Sequence, residues 1–594
     1  MQIRRAAVMQ PLVLLALLPG LSACATRPPA PLPAAAFPAL DTLTLVLMGT
    51  TDVHGRLYNH DYYTGAETDH GLALLKPAID SIRSVHAGRT LLFDSGDLLQ
   101  GNPLGMVYAR IHGDQPNPII RAMNLLGYDA AAIGNHEFNY GLTHLDRAVE
   151  LAAFPFLSAN IFRAGTPEHA YTPYVLLPVA SPAGDTLYVG VTGNTPPGVH
   201  LWDRDNVDGV LDFREIVGSV RDVVADMRAR GADIVVVLSH GGLEGTSYDT
   251  VTTGLPPENA AARLAREVPA IDVIFLGHTH RELADTVIGG VLLMQAKNWA
   301  ASLAVATLSV RRDGVGDWRV ERKRGEIVRP VPGVADRPFM DSLRWEHERA
   351  VAYVNARIGE GAERLDARDA RVRDTPIIDF VNEVQRRTAG ADLSSTAAFQ
   401  INAVLPAGDI SIADIAALYP YDNTLKAIRI TGAQLRAYLE KSAEYYSGFL
   451  APGGTVTNFD VPGYNFDIVS GVDYTLDLAR PVGERVTVLT HEGVAVRDEQ
   501  TFTLALNNYR QAGGGGYDMI AGAEVVYDRQ EDIRDLLIAE LRLRDVIRPS
   551  DYFRANWRIV PDAAVDAALA EQTSRESRPA GGPPGAAGAA PAAR

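Results

Sequence analysis

Five apolar runs in this chain each end in residues that can hold a cation or move a proton. Leu43 to Met48 leads to Asp52-Val53-His54, and Thr90 to Phe93 leads to Asp94-Ser95-Gly96-Asp97. Tyr128 to Ile133 leads to Gly134-Asn135-His136-Glu137-Phe138-Asn139. Ile234 to Leu238 runs into Ser239-His240-Gly241, and Ile271 to Leu276 into Gly277-His278-Thr279-His280. An amide oxygen beside an imidazole, as in Asn135-His136, suits a metal ligand next to a proton donor. One Asn-His pair after a strand is a common capped turn. Five strand ends that all furnish oxygen or imidazole form a cluster. None of the ligands is cysteine, which excludes an iron–sulfur cluster or a thiolate zinc site. Seven His, Asp and Asn ligands are too many for one open ion and suit two. Such a site activates a water and clamps the oxygens of an in-line displacement at phosphorus. Zinc, manganese, cobalt and magnesium all accept these ligands, so the metal's identity stays open.

The elements that must position these residues are legible from pattern. The apolar runs read as buried strands, and Gly134 as the sharp turn that ends one of them. Helical periodicity lies between them, at Phe213 to Arg230 and Glu258 to Glu267. Strands alternating with helices predict an α/β layered domain, whose ligands collect beyond the carboxyl ends of the strands. The chain has 594 residues and is 47% hydrophobic, enough for two or three globular domains. Its formal charge of −17 disfavours a nucleic-acid polymer as partner. A small anion remains compatible if bound cations supply local positive charge.

The first residues read as an export signal. Arg4 and Arg5 precede the apolar stretch Leu12 to Leu18, which is too short to span a membrane, and then Leu21-Ser22-Ala23-Cys24. The last four resemble a bacterial lipobox, which implies a leader over 1–23 and a lipid anchor on Cys24. The product would be an exported periplasmic or outer-membrane lipoprotein of a bacterium. Cys24 is the chain's only cysteine, so an internal disulfide is impossible. Residues 24–40, rich in Pro and Ala, read as an extended tether.

Taken together, the five strand-end motifs resemble the calcineurin-like metallophosphatases, and among those the bacterial 5′-nucleotidase family of two-domain enzymes. The resemblance covers roughly Leu43 to Val560. It implies a metallophosphatase domain over 41–332 (a layered β-sandwich flanked by helices), a linker helix over 333–360, and an α+β C-terminal nucleotide-binding domain over 361–560. By the family's pattern Asp52, His54 and His280 hold one divalent metal ion. Asn135, His240 and His278 hold the other, and Asp97, rather than Asp94, bridges them. His136 sits beside the reacting oxygens as acid or electrostatic stabiliser. The 5′-nucleotidase branch has an aspartate three residues beyond that histidine, where this chain has Asn139. An asparagine can hydrogen-bond the ring but carries no charge to favour imidazolium. Glu137 is adjacent, with its side chain directed elsewhere. The wording His136-Glu137-Phe138-Asn139-Tyr140-Gly141-Leu142 resembles the 2′,3′-cyclic-nucleotide 2′-phosphodiesterase/3′-nucleotidase branch.

Asp336 to Ile358 is charged and helically periodic and reads as one connecting helix; the resemblance implies that it lies near a hinge. In the second domain Ile377 to Thr388 and Gly432 to Tyr445 read as helices. Thr424 to Ile430, Gly471 to Leu476 and Thr501 to Leu506 read as strands. Loop aromatics there can stack on a base. The resemblance implies that Tyr421 and Tyr509 sandwich it, with Asn423, Asn508 and Asp518 as polar neighbours. Tyr464-Asn465-Phe466-Asp467 again resembles the cyclic-phosphodiesterase branch. Gln400 stands where 5′-nucleotidases have a substrate-gripping arginine, and cannot replace it. Residues 561–594, rich in Ala, Pro and Gly, read as a disordered tail. The expected protein is a monomeric hydrolase of 2′,3′-cyclic and 3′-nucleotides. The alternatives are a 5′-nucleotidase or nucleotide-sugar hydrolase, a non-catalytic nucleotide-binding lipoprotein, and an adhesive surface protein.

Overall fold

The computed structural model describes residues 42–181, 184–246, 248, 250–313, 317–421, 423–448 and 455–576. The leader, Cys24 and the tether lie outside the described residues. Two six-stranded sheets build the N-terminal part. The first runs Trp318–Val328, Leu303–Arg312, Thr42–Thr50, Thr90–Asp94, Ala130–Ala132, Phe156–Leu157. The second runs Leu283–Ile288, Val291–Gln295, Val273–Leu276, Ile234–Ser239, Thr186–Asn194, Tyr174–Ala180.

The period of two along each strand decides the layering. Leu43, Leu45 and Leu47 join Phe93, Val189, Val236, Val273 and Phe275 in one core between the sheets. The alternate residues Val46 and Met48 face out onto helices Leu72–Val85 and Pro118–Leu126. On the other sheet Val235, Val237 and Ile274 face out onto helix Ile216–Ala229. The result is helix, sheet, sheet, helix, as the β-sandwich expectation required. Gly49 is needed where the sheets meet, since a Cβ there would lie 2.5 Å from the Phe275 ring.

The strands that carry site residues are parallel to their neighbours. Thr42–Thr50 pairs with Thr90–Asp94, which pairs with Ala130–Ala132. Ile234–Ser239 pairs with Val273–Leu276. All five carboxyl ends therefore emerge at one edge of the sandwich.

The connecting segment departs from expectation. It is two helices, Arg337–Ser342 and Arg344–Val354, rather than one. Asp336 caps the first through Phe339 N, the chain breaks at Leu343, and Arg357–Gly361 is already a strand. The second domain is built on the sheet Asp467–Ser470, Leu393–Ala397, Thr501–Asn507, Thr424–Thr431, Val525–Asp532. Helices Pro376–Ala389 and Gly432–Ala443 pack on it. Arg534 lies over the Tyr63 ring at 4.6 Å and joins the two domains.

The expected tail is also corrected. Asp562–Glu576 is a helix, with Ala564 and Ala568 buried four residues apart on one face. Its Glu571 carboxylate accepts from Val456 N and Thr457 N. Alanine has the best intrinsic helix propensity, and a narrow alanine stripe gives little apolar periodicity to read. Residues 577–594 lie outside the described residues.

Candidate metal centre and aromatic pocket

At the shared edge of the two sheets the predicted ligands converge. Asp52, His54 and His280 offer ligand atoms within 4.8 Å of one another, and so do Asp97, His240 and His278. Asp97 links the two groups: its Oδ2 lies 3.0 Å from His240 Nε2 and 4.0 Å from both His54 Nε2 and His136 Nε2. Asn135 Oδ1 lies 3.0 Å from His240 Nε2. Asp94 stays out of the cluster. It accepts from Thr50 Oγ1 and Gly96 N, and burial pushes its carboxyl up to about 8.

The local backbone is bent to aim these groups. Nine non-glycine residues have positive φ among those described, and five are Asp52, His54, Asp97, His278 and His280. Such strain persists where surrounding structure over-determines it, and gathers at ligand sites. The Asp52 carboxylate accepts from His278 N, and Trp299 N donates to the Asp52 carbonyl. The residues flanking the ligands are thus stitched together through the backbone.

The chemistry of the donor set fits divalent cations. His54 Nδ1 donates to Gln100 O and His240 Nδ1 to Ser95 O, each at 2.7 Å. Each Nε2 therefore faces into the cluster. Burial lowers the pKa of His240, but the Asp97 charge and hydrogen bond outweigh it and raise the ring to about 10, so that a proton stands where a cation would otherwise bind. His54 Nε2 is 3.2 Å from His280 Nε2, while His240 Nε2 faces Asn135 Oδ1 and Asp97 Oδ2. Acceptor against acceptor is repulsive unless a proton or cation lies between. Burial works against ionising Asp97, but the charges of His240 and His136 and the His240 hydrogen bond hold it well below the usual carboxylate range. Burial pushes His54 and His278 down to about 4, which keeps them neutral and able to ligate.

His136 is half-buried beside this cluster. Its Nδ1 donates to Asn139 Oδ1 at 2.6 Å, and its backbone N–H to Asp97 Oδ1 at 2.8 Å. Asn139 in turn donates Nδ2 to both oxygens of Asp203, at 2.9 and 3.1 Å. Burial lowers the pKa of His136, but the Asp97 charge, the Asn139 hydrogen bond and the Asp203 charge outweigh it and raise the group overall.

Three contributors escaped the sequence reading. Glu137 is fully buried, and its carboxylate accepts from the backbone N–H groups of Gly134, Asp97, Leu98 and Leu99. Asp203 reaches Asn139 from a separate loop. Trp202 stacks on His278, with ring centroids 5.7 Å apart. Neither Trp202 nor Asp203 follows an apolar run, so no strand-end signal marks them.

In the second domain Tyr421, Tyr464 and Tyr509 are exposed, and Tyr421 is influenced by the other two. The Tyr421 ring lies edge-on to Phe399 at 5.0 Å. Buried Arg510 organises the surrounding loops. It donates to Asp467 Oδ1 and Oδ2 at 2.7 and 2.9 Å, to Tyr464 O, and to Gly514 O. Gly515 has φ +76°, and a Cβ there would collide with Asn465 and Arg510. Asn508 Oδ1 is buried with no hydrogen-bond partner in the protein. Asn423 is half-buried, and its carbonyl accepts from Ile533 N. Asp518 is exposed at the start of a 3₁₀ turn and turns toward Gly513. Arg371 reaches Ala398 O and Phe399 O and bears on Tyr421, a cation near the place where Gln400 is exposed.

Residues 45–282 match the calcineurin-like phosphoesterase family, and residues 351–522 match the 5′-nucleotidase C-terminal domain. A 2′,3′-cyclic-nucleotide 2′-phosphodiesterase/3′-nucleotidase of Salmonella typhimurium is 30% identical, over 88% of this chain and 90% of that protein. A trifunctional nucleotide phosphoesterase of Bacillus subtilis is 31% identical over 87% of this chain, which spans only 39% of that longer protein. Among solved structures, a Staphylococcus aureus protein named as a candidate 5′-nucleotidase superposes with a TM-score of 0.65 at 26% identity. That superposition covers 87% of this chain and 99% of the other.

Proposed function

This chain belongs to the bacterial 5′-nucleotidase / 2′,3′-cyclic-nucleotide 2′-phosphodiesterase family, and from that premise we propose that it opens 2′,3′-cyclic nucleotides and then removes the 3′-phosphate. The observation that carries the reading is the convergence of both ligand groups on Asp97 Oδ2, with His136 Nε2 at 4.0 Å from the same oxygen. Asp52, His54 and His280 would hold one divalent cation, and Asn135, His240 and His278 the other, with Asp97 shared. Two cations held there neutralise charge on the phosphoryl oxygens and acidify a water.

The chain's own residues supply the rest. A water oxygen attacks phosphorus in line with the P–O2′ bond, and that bond breaks. The departing 2′-oxygen takes the proton carried on His136 Nε2, giving the 3′-phosphate. A proton released by the attacking water reloads His136. A second water then attacks phosphorus in line with the P–O3′ bond, that bond breaks, and the 3′-oxygen takes the His136 proton, releasing inorganic phosphate and the 3′-hydroxyl. Tyr421 and Tyr509 would stack on the base, with Asn508, Asn423 and Asp518 as polar neighbours. The relative from Salmonella typhimurium and the Asn139 and Gln400 positions favour this branch over 5′-nucleotides.

Hydrolysis of 2′,3′-cyclic, 3′- and 5′-adenosine phosphates with added manganese or zinc tests the assignment. Turnover of the cyclic and 3′ esters is expected, and exclusive turnover of the 5′ ester would overturn the branch. The leader layout supports export as a lipoprotein anchored through Cys24. Fatty-acid labelling that survives in Cys24→Ser would refute the anchor. Among the described residues no helix is long and apolar enough to cross a membrane.

A further inference from the structure

Where the 5′-nucleotidase branch has an aspartate three residues beyond the histidine this chain has Asn139, and an amide by itself neither charges the ring nor selects its tautomer. The missing carboxylate is present one link further out. We propose that Asp203 is the positioning residue for His136, acting through Asn139 to lock the imidazole with its fixed proton on Nδ1. The inference rests on His136 serving as the proton donor to the leaving oxygen.

Hydrogen-bond polarity makes the argument. An ionised carboxylate only accepts, so the amide facing Asp203 must present its NH₂ group. Asn139 Nδ2 reaches both Asp203 oxygens, at 2.9 and 3.1 Å, the geometry of an N–H shared by the two. The opposite rotamer would set Oδ1 against both Asp203 oxygens. Asn139 Oδ1 is therefore turned to His136, 2.6 Å from Nδ1, and an acceptor at that place requires Nδ1–H. The transferable proton is then the one on Nε2, which faces Asp97 Oδ2 at the centre. After proton transfer the ring is left as the Nδ1–H tautomer already bonded to Asn139, so nothing has to reorient.

The surroundings hold Asp203 for this task. It is buried, it also accepts from Asn206 Nδ2, and Asn206 donates to Phe138 O, two residues from His136. Its neighbour Trp202 lies on the His278 ring. The end of helix Val199–Trp202 and the residue after it thus brace both the proton donor and a candidate ligand.

The test compares H136A, D203N, N139D and the double variant N139D/D203N, each on 2′,3′-cyclic AMP and on bis(p-nitrophenyl) phosphate. The nitrophenolate leaving group needs no proton, so an acid defect spares that substrate. For D203N, kcat on cyclic AMP is expected to fall about 10- to 100-fold, the range seen when a partner that orients a site residue is lost. KM should hold within about two-fold, since stacking is untouched. The loss on the nitrophenyl ester should be much smaller. N139D sets two carboxylates against each other and should also lose activity. N139D/D203N returns a carboxylate directly to the ring and should recover most of the loss. Equal losses of D203N on both substrates would overturn the proposal, as would a double variant no better than D203N.

Nitrogen-15 NMR of the metal-free protein reads the tautomer without turnover. A slowly exchanging His136 Nδ1–H signal, assigned by its absence in H136A, is expected in the native protein and lost in D203N. Its persistence in D203N would overturn the inference. If H136A acts equally on both substrates, the proton-donor reading falls, and the NMR result still decides the link to Asp203.

Discussion

At the scale of the residue, the centre depends on groups that touch no substrate. Glu137 gathers four backbone N–H donors from two loops, one of them that of Asp97, and so fixes where the shared carboxylate stands. Replacing one oxygen by NH₂ sets a donor against donors, and a buried group left unmatched costs about 1–3 kcal/mol. Glu137→Gln should therefore lower the thermal midpoint and weaken metal retention together. Calorimetry and metal analysis of dialysed protein would check this, and a variant that melts lower yet keeps its full metal content would contradict the role. No sequence pattern marks this role, because the partners of Glu137 are backbone groups up to 40 positions away.

At the scale of the element, two features make distinct predictions. Gly514 lies under the Tyr509 ring, and a Cβ there would be 2.6 Å from it. Gly514→Ala should push the ring aside and forfeit part of a stacking contact worth about 1–3 kcal/mol. KM for cyclic AMP is expected to rise several-fold with kcat little changed, and an unaltered KM would remove Tyr509 from the base site. The second feature is helix Pro376–Ala389, where burial pushes Asp379 up to about 7 and its neighbour Asp374 up to about 6. Both values lie above the ordinary carboxylate range, so between the two the folded state keeps protons that the unfolded chain has released. Stability from these groups is then highest below the ordinary range, falls as pH rises toward 7, and levels off above it. Asp379→Asn should flatten that fall, and the check is the thermal midpoint of both proteins at pH 5 and pH 8.

At the scale of the whole molecule, the sandwich edge pays in backbone strain for a close cluster of candidate ligand atoms. Five positive-φ candidate ligand residues and two close contacts between candidate ligand atoms, His54 Nε2 to His280 Nε2 and His240 Nε2 to Asn135 Oδ1, are built into one rim. Cations that bind only the folded state stabilise it by mass action. Chelation should abolish turnover and lower the thermal midpoint, and added manganese or zinc should restore both. A midpoint indifferent to chelator would mean that the rim is satisfied by protons instead. The domains also meet through Tyr63 and Arg534 and through the two connecting helices, whose break at Leu343 adds a joint.

The residues that could be read without a structure were those announced by a strand. An apolar run ending in Asp, Asn or His is a local signal, and parallel pairing carries every such end to one edge. This is why the α/β layering, and the gathering of the seven candidate ligands and His136 at one edge, were legible. Helix and strand positions in the second domain were also close, as with Pro376–Ala389 and Thr501–Asn507. What the chain alone could not disclose were partners chosen by folding. Asp203 is 64 positions from Asn139, and Arg510 ties loops 43 positions apart to Asp467. Such bonds have no periodicity. They exist because burial leaves a charged or amide group one place where its hydrogen bonds are satisfied, and only the packed tertiary structure says where that place is.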